Sequence, residues 1–190
     1  MGRALHALVD GLPADVIAVN DRGLQYGHGM FETCRIVDGC VPLWPYHRAR
    51  LDQTARRLNI PLLLDPIDAE VAELGATQHT GIIKVLVTAG TGRGFRADGN
   101  PAGRIVTVHP PSNSVVDRRI GATVRICRTR LAVQPALAGL KHLNRLERAV
   151  ISIWPVARVL ERSVARLQPG RITFRIMAAL EARFGFPGPP

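Results

Sequence analysis

Lysine is scarce in this sequence. The 25 basic residues include only Lys84 and Lys141, and all the others are arginine. Aromatic residues are scarce too, at 5 %, which leaves little material for stacking nucleic-acid bases. Zinc-finger spacing, a helix-turn-helix pattern and an aromatic-bearing RNA motif are all absent. The formal net charge of +10 is therefore not read as a nucleic-acid surface. Its arginines are scattered and interleaved with acids, as in Asp117-Arg118-Arg119 and Leu146-Glu147-Arg148. The charge is read first as a solvated arginine-rich surface, with which an anionic small-molecule substrate or a phosphate cofactor is also compatible. The three cysteines, Cys34, Cys40 and Cys127, are odd in number and lack metal-ligand spacing, so neither a disulfide framework nor a metal site is expected. No apolar run reaches the length of a bilayer-spanning helix. Nor does a signal-peptide core follow Met1-Gly2-Arg3. A soluble, cytoplasmic protein without a membrane partner is the expectation.

What is present is enough apolar material for a packed core, 46 % of 190 residues. Asp15–Val19 reads as a short strand. The glycine-bearing stretch from Asn20 to Thr33 reads as tight backbone rather than a helix interior. Asp38-Gly39 lies between the apolar runs Cys34–Val37 and Cys40–Leu43, which is a hairpin signal of the primed-turn type. Trp44-Pro45 opens a helix on which Leu51, Ala55 and Leu58 share a face, and Asn59 and Pro61 end it. A second helix is expected over residues 66–79. Strands are expected over Gly81–Thr88 and Arg104–Val108. Thr91–Arg96 is a glycine-arginine loop.

The paired prolines of His109–Ser114 mark a boundary. The expected organisation is an N-terminal α+β domain over 1–109, a linker over 110–119 and a second domain over 120–190. Within the latter, Ala122–Cys127 alternates like a strand, Gln134–Gly139 is a loop, and Leu143–Val150 is helical. Ile172–Phe184 forms an amphipathic last helix.

Lys141 stands between that loop and that helix, in Gly139-Leu140-Lys141-His142-Leu143-Asn144-Arg145-Leu146-Glu147. An amine can act as a nucleophile once it loses its proton, whereas a guanidinium cannot. A lysine kept among so many arginines is therefore a candidate nucleophile. A solvated side chain at the mouth of a helix is the plain alternative.

Three segments together resemble the fold-type IV pyridoxal-phosphate (PLP) enzymes, which include the branched-chain and D-amino-acid aminotransferases and aminodeoxychorismate lyase. They are Asp21–Glu32, His47-Arg48-Ala49-Arg50-Leu51 and Gly139–Glu147. The first departs from the family pattern at His28, where Asp is usual. The third resembles aminodeoxychorismate lyase more than the aminotransferases. The resemblance implies a two-domain α+β, D-amino-acid-aminotransferase-like architecture and a homodimer. It implies PLP carried on Lys141, which also serves as acid and base, with Arg50 on the phosphate. The implied reaction converts 4-amino-4-deoxychorismate to p-aminobenzoate and pyruvate, on the route to folate. Tyr26, His28 and Asn144 are candidate substrate-side residues, and Glu32 is a candidate cavity residue.

After Val150 the resemblance jumps. Ile151–Val156 resembles a segment from nearer the family's C-terminus, so the second domain is expected to be incomplete. The missing stretch normally carries the glutamate that pairs with the pyridinium nitrogen. None of Glu147, Glu161 and Glu181 stands in a context that assigns it this role. The chain is then either internally deleted and impaired, down to an inactive remnant, or part of a longer protein. An aminotransferase of the same fold is the enzymatic alternative.

Overall fold

The structure is a computed structural model that describes residues 6–95, 99–111, 123–124, 134–146, 158–159 and 162–163. The chain divides into two compact units. The first is Met1–Pro111 with Gln134–Asn144, and the second is Ser112–Val133 with Arg145–Pro190. The segment carrying Lys141 thus clusters with the first unit, although the sequence reading grouped it with the second domain.

The first unit is built on one antiparallel sheet. Its strands are β1 (His6–Val9), β2 (Leu12–Pro13), β3 (Gly29–Val37), β4 (Thr80–Thr88) and β5 (Gly103–His109), in the order β2-β1-β5-β4-β3. β4 alternates cleanly, with Ile83, Val85 and Val87 fully buried. This is the period-two pattern of a strand packed on one face. Helices α2 (Trp44–Leu58) and α3 (Leu64–Gly75) cover that face. They bury Leu51 and Ala55, and Ile67, Val71 and Leu74, against the sheet. Each large aliphatic side chain so buried contributes roughly 1.5–3 kcal/mol.

Local chemistry sets the ends of α2. Pro45 lies in its first turn, where a missing N–H costs nothing. Asn59 closes it in the left-handed region at φ 53°. The Asp38-Gly39 turn forms as expected, with φ 50° and 75° and reciprocal bonds between Val37 and Cys40. Cys40–Leu43 does not continue as a strand, because α2 starts at Trp44 and β3 pairs with β4 instead.

Two further expectations are corrected. Asp15–Val19 is not a strand: Val16 and Val19 are 72 % and 82 % exposed, and the hairpin is made earlier, by β1 and β2 around Asp10-Gly11. The stretch from Asn20 to Thr33 also contains regular structure. Helix α1 (Arg22–Tyr26) is capped by the Asp21 carboxylate, which accepts from the Gly23 and Leu24 amides, and β3 begins at Gly29. Gly27, at φ 64°, makes the tight link between them.

In the second unit, β6 (Thr123–Val124) runs parallel to β7 (Arg158–Val159), and β7 is antiparallel to β8 (Arg162–Ser163). The helix expected over Leu143–Val150 does not begin at Leu143: residues 143–145 are not helical, because the Leu143 amide is taken by the Gly29 carbonyl of β3, and Leu146 is the first helical residue. Residues 147–150 and the expected helix over Ile172–Phe184 lie outside the described residues. Among the described residues, no helix is long and apolar enough to cross a membrane.

Candidate active site

Glu32 occupies an inward position on β3. Met30, Glu32, Cys34 and Ile36 alternate toward the core, and all four are buried. Three of them are apolar, as a half-buried strand requires, but the fourth is a carboxylate whose side chain is only 1 % exposed. A buried charge survives only if it is paired and hydrogen-bonded. Two elements supply its partners.

From α2, Arg50 forks onto the carboxylate. Its Nε donates to Oε1 at 2.5 Å and its Nη2 to Oε2 at 2.6 Å. His47 lies three residues earlier, on the same helical face. Its Nδ1 is 2.8 Å from Oε2. An ionised carboxylate only accepts, so Nδ1 carries the proton in this contact. From the segment 134–144, Lys141 donates its Nζ to Oε2 at 3.1 Å.

The backbone explains how a lysine so far along the chain arrives there. β3 is the outer strand of the sheet, so one edge of its backbone is open. Residues 141–143 dock on that edge. The Phe31 amide donates to the Lys141 carbonyl, the Leu143 amide donates to the Gly29 carbonyl, and Met30 bridges to His142. Arg57 of α2 holds the preceding turn through the Ala136 and Ala138 carbonyls, at 3.0 Å each. Phe31 adds a cation–π contact to the site, with its ring centroid 4.9 Å from Lys141 Nζ.

The electrostatics follow from these contacts. Burial pushes the Glu32 carboxyl up, but the hydrogen bonds from Arg50, His47 and Lys141 outweigh it and hold the group at about 2. The Cys34 thiol is pushed up to about 12, by burial first and by the Glu32 charge second, so it stays protonated. Hydrogen bonding to Glu32 raises Arg50 further above its ordinary range. Arg48, between His47 and Arg50 on α2, is instead committed to Asp68 and Asp65.

The two principal residues expected from the sequence, Lys141 and Arg50, are thus brought to a single oxygen atom. The remaining candidates make other contacts. His28 accepts from Arg22 Nε and lies 3.0 Å, through Nε2, from the Leu58 carbonyl, so it ties α1 to the end of α2. Tyr26 packs on the Arg22 guanidinium and the Phe95 ring. Asn144 donates to the Gly27 carbonyl at 3.2 Å. His47, and Glu32 as the centre of the array, were not assigned these roles from sequence. The available signal was a charged residue at an inward position of the Met30–Ile36 alternation.

The amino-transferase class IV model matches residues 29–164, from the first residue of β3 onward. The chain belongs to the class IV aminotransferase family. Within this family it is 32 % identical over 148 residues to an aminodeoxychorismate lyase of Vibrio harveyi, covering 75 % of this chain and 54 % of that one. Among solved structures it is similar to 4-amino-4-deoxychorismate lyase from Pseudomonas aeruginosa, with 40 % identity and a TM-score of 0.73 over 83 % of this chain and 61 % of that one. The fold is shared with a hypothetical aminotransferase from Mycobacterium tuberculosis in its PLP-bound form, at 21 % identity and TM-score 0.64, over 77 % of this chain and 56 % of that one. The class IV chain described here therefore spans about half the length of the curated relative. Its fold is that of the fold-type IV aminotransferases, and it covers 61 % of the Pseudomonas aeruginosa lyase chain.

The donor set around Glu32 fits PLP at two points. Arg50 is 45 % exposed and Lys141 28 % exposed in their side chains, although the carboxylate between them is sealed. A guanidinium is a forked donor for a phosphate, and a primary amine is the group that condenses with a carbonyl. Glu147, Glu161 and Glu181, the acids considered for the ring nitrogen, lie outside the described residues.

Proposed function

We propose that this site is the centre of a PLP-dependent lyase that converts 4-amino-4-deoxychorismate to p-aminobenzoate and pyruvate. The observation that carries the reading is the convergence of the Lys141 amine and the Arg50 guanidinium on Glu32. It is supported by similarity to two proteins named for this lyase activity.

The cofactor, when bound, supplies an electron sink for the carbon that bears the substrate amine. The other roles fall to the chain. Arg50 would hold the phosphate by charge-assisted hydrogen bonds. Lys141 Nζ would hold the cofactor through its carbonyl carbon, and as a free amine it would take a proton from the ring carbon of the substrate. The atoms balance without a co-substrate: the ring loses one proton and its enolpyruvyl ether, the enolpyruvyl methylene gains a proton, and the products are an aromatic amine and pyruvate. Aromatisation drives the release. Tyr26, His28 and Asn144 are the substrate-side residues in this proposal, which also takes the protein to be a cytoplasmic homodimer.

The test is turnover of 4-amino-4-deoxychorismate by the purified chain supplied with PLP and no ketoacid. The proposal requires p-aminobenzoate and pyruvate in equal amounts. Amine transfer that depends on an added ketoacid would assign the site to an aminotransferase instead.

A further inference from the structure

The charged centre of this site sits where the strand pattern calls for an apolar side chain. The inward run Met30, Glu32, Cys34, Ile36 would pack more simply with a fourth hydrophobe. Replacing buried ion pairs with well-packed apolar groups is often neutral or stabilising, so packing alone gives no reason for a carboxylate here. Its geometry does. Oε1 takes Arg50 Nε, while Oε2 takes Arg50 Nη2, His47 Nδ1 and Lys141 Nζ. Arg50 comes from α2 and Lys141 from a segment that docks on the β3 edge of the sheet. No hydrogen bond joins Arg50 to Lys141 directly among those described. Glu32 is the atom-level link between them.

We propose that Glu32 is a positioning residue: it fixes the Arg50 guanidinium and the Lys141 amine relative to each other, so that one small molecule bearing an anionic group and a carbonyl meets both at once. This inference rests on the cofactor reading above and adds a residue to it. The fork uses Nε and Nη2 of Arg50, which directs the remaining Nη1 face away from the carboxylate. The sealed position of Glu32 makes the frame rigid, because its carboxylate belongs to the strand beneath the helix rather than to a mobile surface side chain. Its loss removes orientation rather than a group that touches the cofactor.

The glutamine variant separates these roles. Glu32→Gln keeps the size, but its amide has one acceptor oxygen and two N–H donors. It cannot accept from the Arg50 fork and from Lys141 together, and its own N–H opposes one of them. Glu32→Asp keeps the charge and withdraws it by one methylene, so it keeps the acceptors but reaches the two cations less well.

The experiment compares labelling of the full chain by pyridoxal phosphate and by pyridoxal, which lacks the phosphate. Each reaction is reduced with borohydride and mapped by peptide mass spectrometry. Lys84 is the internal control, and circular dichroism confirms folding. In the wild-type chain, pyridoxal phosphate labels Lys141 in strong preference to Lys84, and pyridoxal does so much less. In Glu32→Gln, the preference with pyridoxal phosphate falls about tenfold, the scale of one charge-assisted hydrogen bond, and the preference with pyridoxal changes little. Glu32→Asp lies between. If Glu32→Gln does not fold, Glu32→Asp decides: an intermediate preference supports the frame and a wild-type preference overturns it. A folded Glu32→Gln with wild-type preference overturns this inference alone. Loss of any Lys141 preference in the wild-type chain overturns the cofactor reading and this inference with it.

Discussion

Lys141 Nζ and Arg50 Nη2 donate to the same oxygen, Glu32 Oε2, at 3.1 and 2.6 Å. The two cations sit 91 positions apart in sequence (141 − 50) and on different elements, yet one buried carboxylate brings them together. That relationship organises the expectations below.

Substituting the nucleophile is the most direct of them. Lys141→Arg keeps a cation beside Glu32, so the first unit is expected to fold with a thermal midpoint near that of the wild-type chain. Arginine cannot condense with a carbonyl at neutral pH. The visible band produced by incubation with pyridoxal phosphate should therefore vanish, and lyase turnover should fall by at least about 10². A variant that keeps both would remove Lys141 from the chemistry.

Acid stability carries the signature of Glu32. Its carboxyl is held at about 2, against an ordinary value of 4.5. A depressed carboxyl contributes stability that is fully present above the unfolded value and is lost as pH falls through the folded one. The window is therefore pH 4.5 down to about 2. Denaturant unfolding should show the wild-type chain ahead of Glu32→Gln by on the order of 3 kcal/mol near neutral pH, with the gap closing across that window. A gap independent of pH would mean that the contacts around Glu32 do not depend on its charge.

Gly27 and Asn144 should be coupled. A Cβ at Gly27 would stand 2.2 Å from Asn144 Oδ1, and the backbone there has φ 64°. Gly27→Ala is expected to cost about 1–3 kcal/mol through strain and overpacking. Asn144→Ala removes an exposed hydrogen bond to the Gly27 carbonyl and should cost no more than about 1 kcal/mol. In the double variant the collision is gone, so the cost of Gly27→Ala should be smaller than in the wild-type background. A double-mutant cycle reads this directly, and additive costs would contradict the contact.

Arg57 tests how Lys141 is delivered. Its guanidinium holds the Ala136 and Ala138 carbonyls. Arg57→Ala should leave the sheet intact but speed amide hydrogen exchange at Leu140, whose N–H bonds to the Leu137 carbonyl within the same turn. Unchanged exchange would show that the docking of residues 141–143 on β3 suffices without Arg57.

Much of this arrangement is written locally in the sequence. Pro45 and Asn59 bound α2, Asp38-Gly39 imposes a turn by its positive φ values, and the Gly81–Thr88 run of β-branched residues makes a central strand. Lys141 and Arg50 are visible because their motifs are local too. Asp15–Val19 misleads because β-branched residues favour a strand only where a neighbour pairs with them, and none is recorded there among the described residues. The pairing of Met30 with His142 has no local signature, since a long-range edge contact depends on where the sheet ends. Glu32 was visible only as an irregularity, a charge in an apolar alternation, and its meaning came from partners on two other elements.

The most direct measurement of the central claim is borohydride trapping of the wild-type chain with pyridoxal phosphate, followed by peptide mapping. An absorbance band in the visible region with the reduced adduct on Lys141 is the predicted result. Adduct spread evenly over Lys141 and Lys84, or no band at all, would contradict the claim that Glu32, Arg50 and Lys141 form a working cofactor site, and would leave the family membership as ancestry without the chemistry.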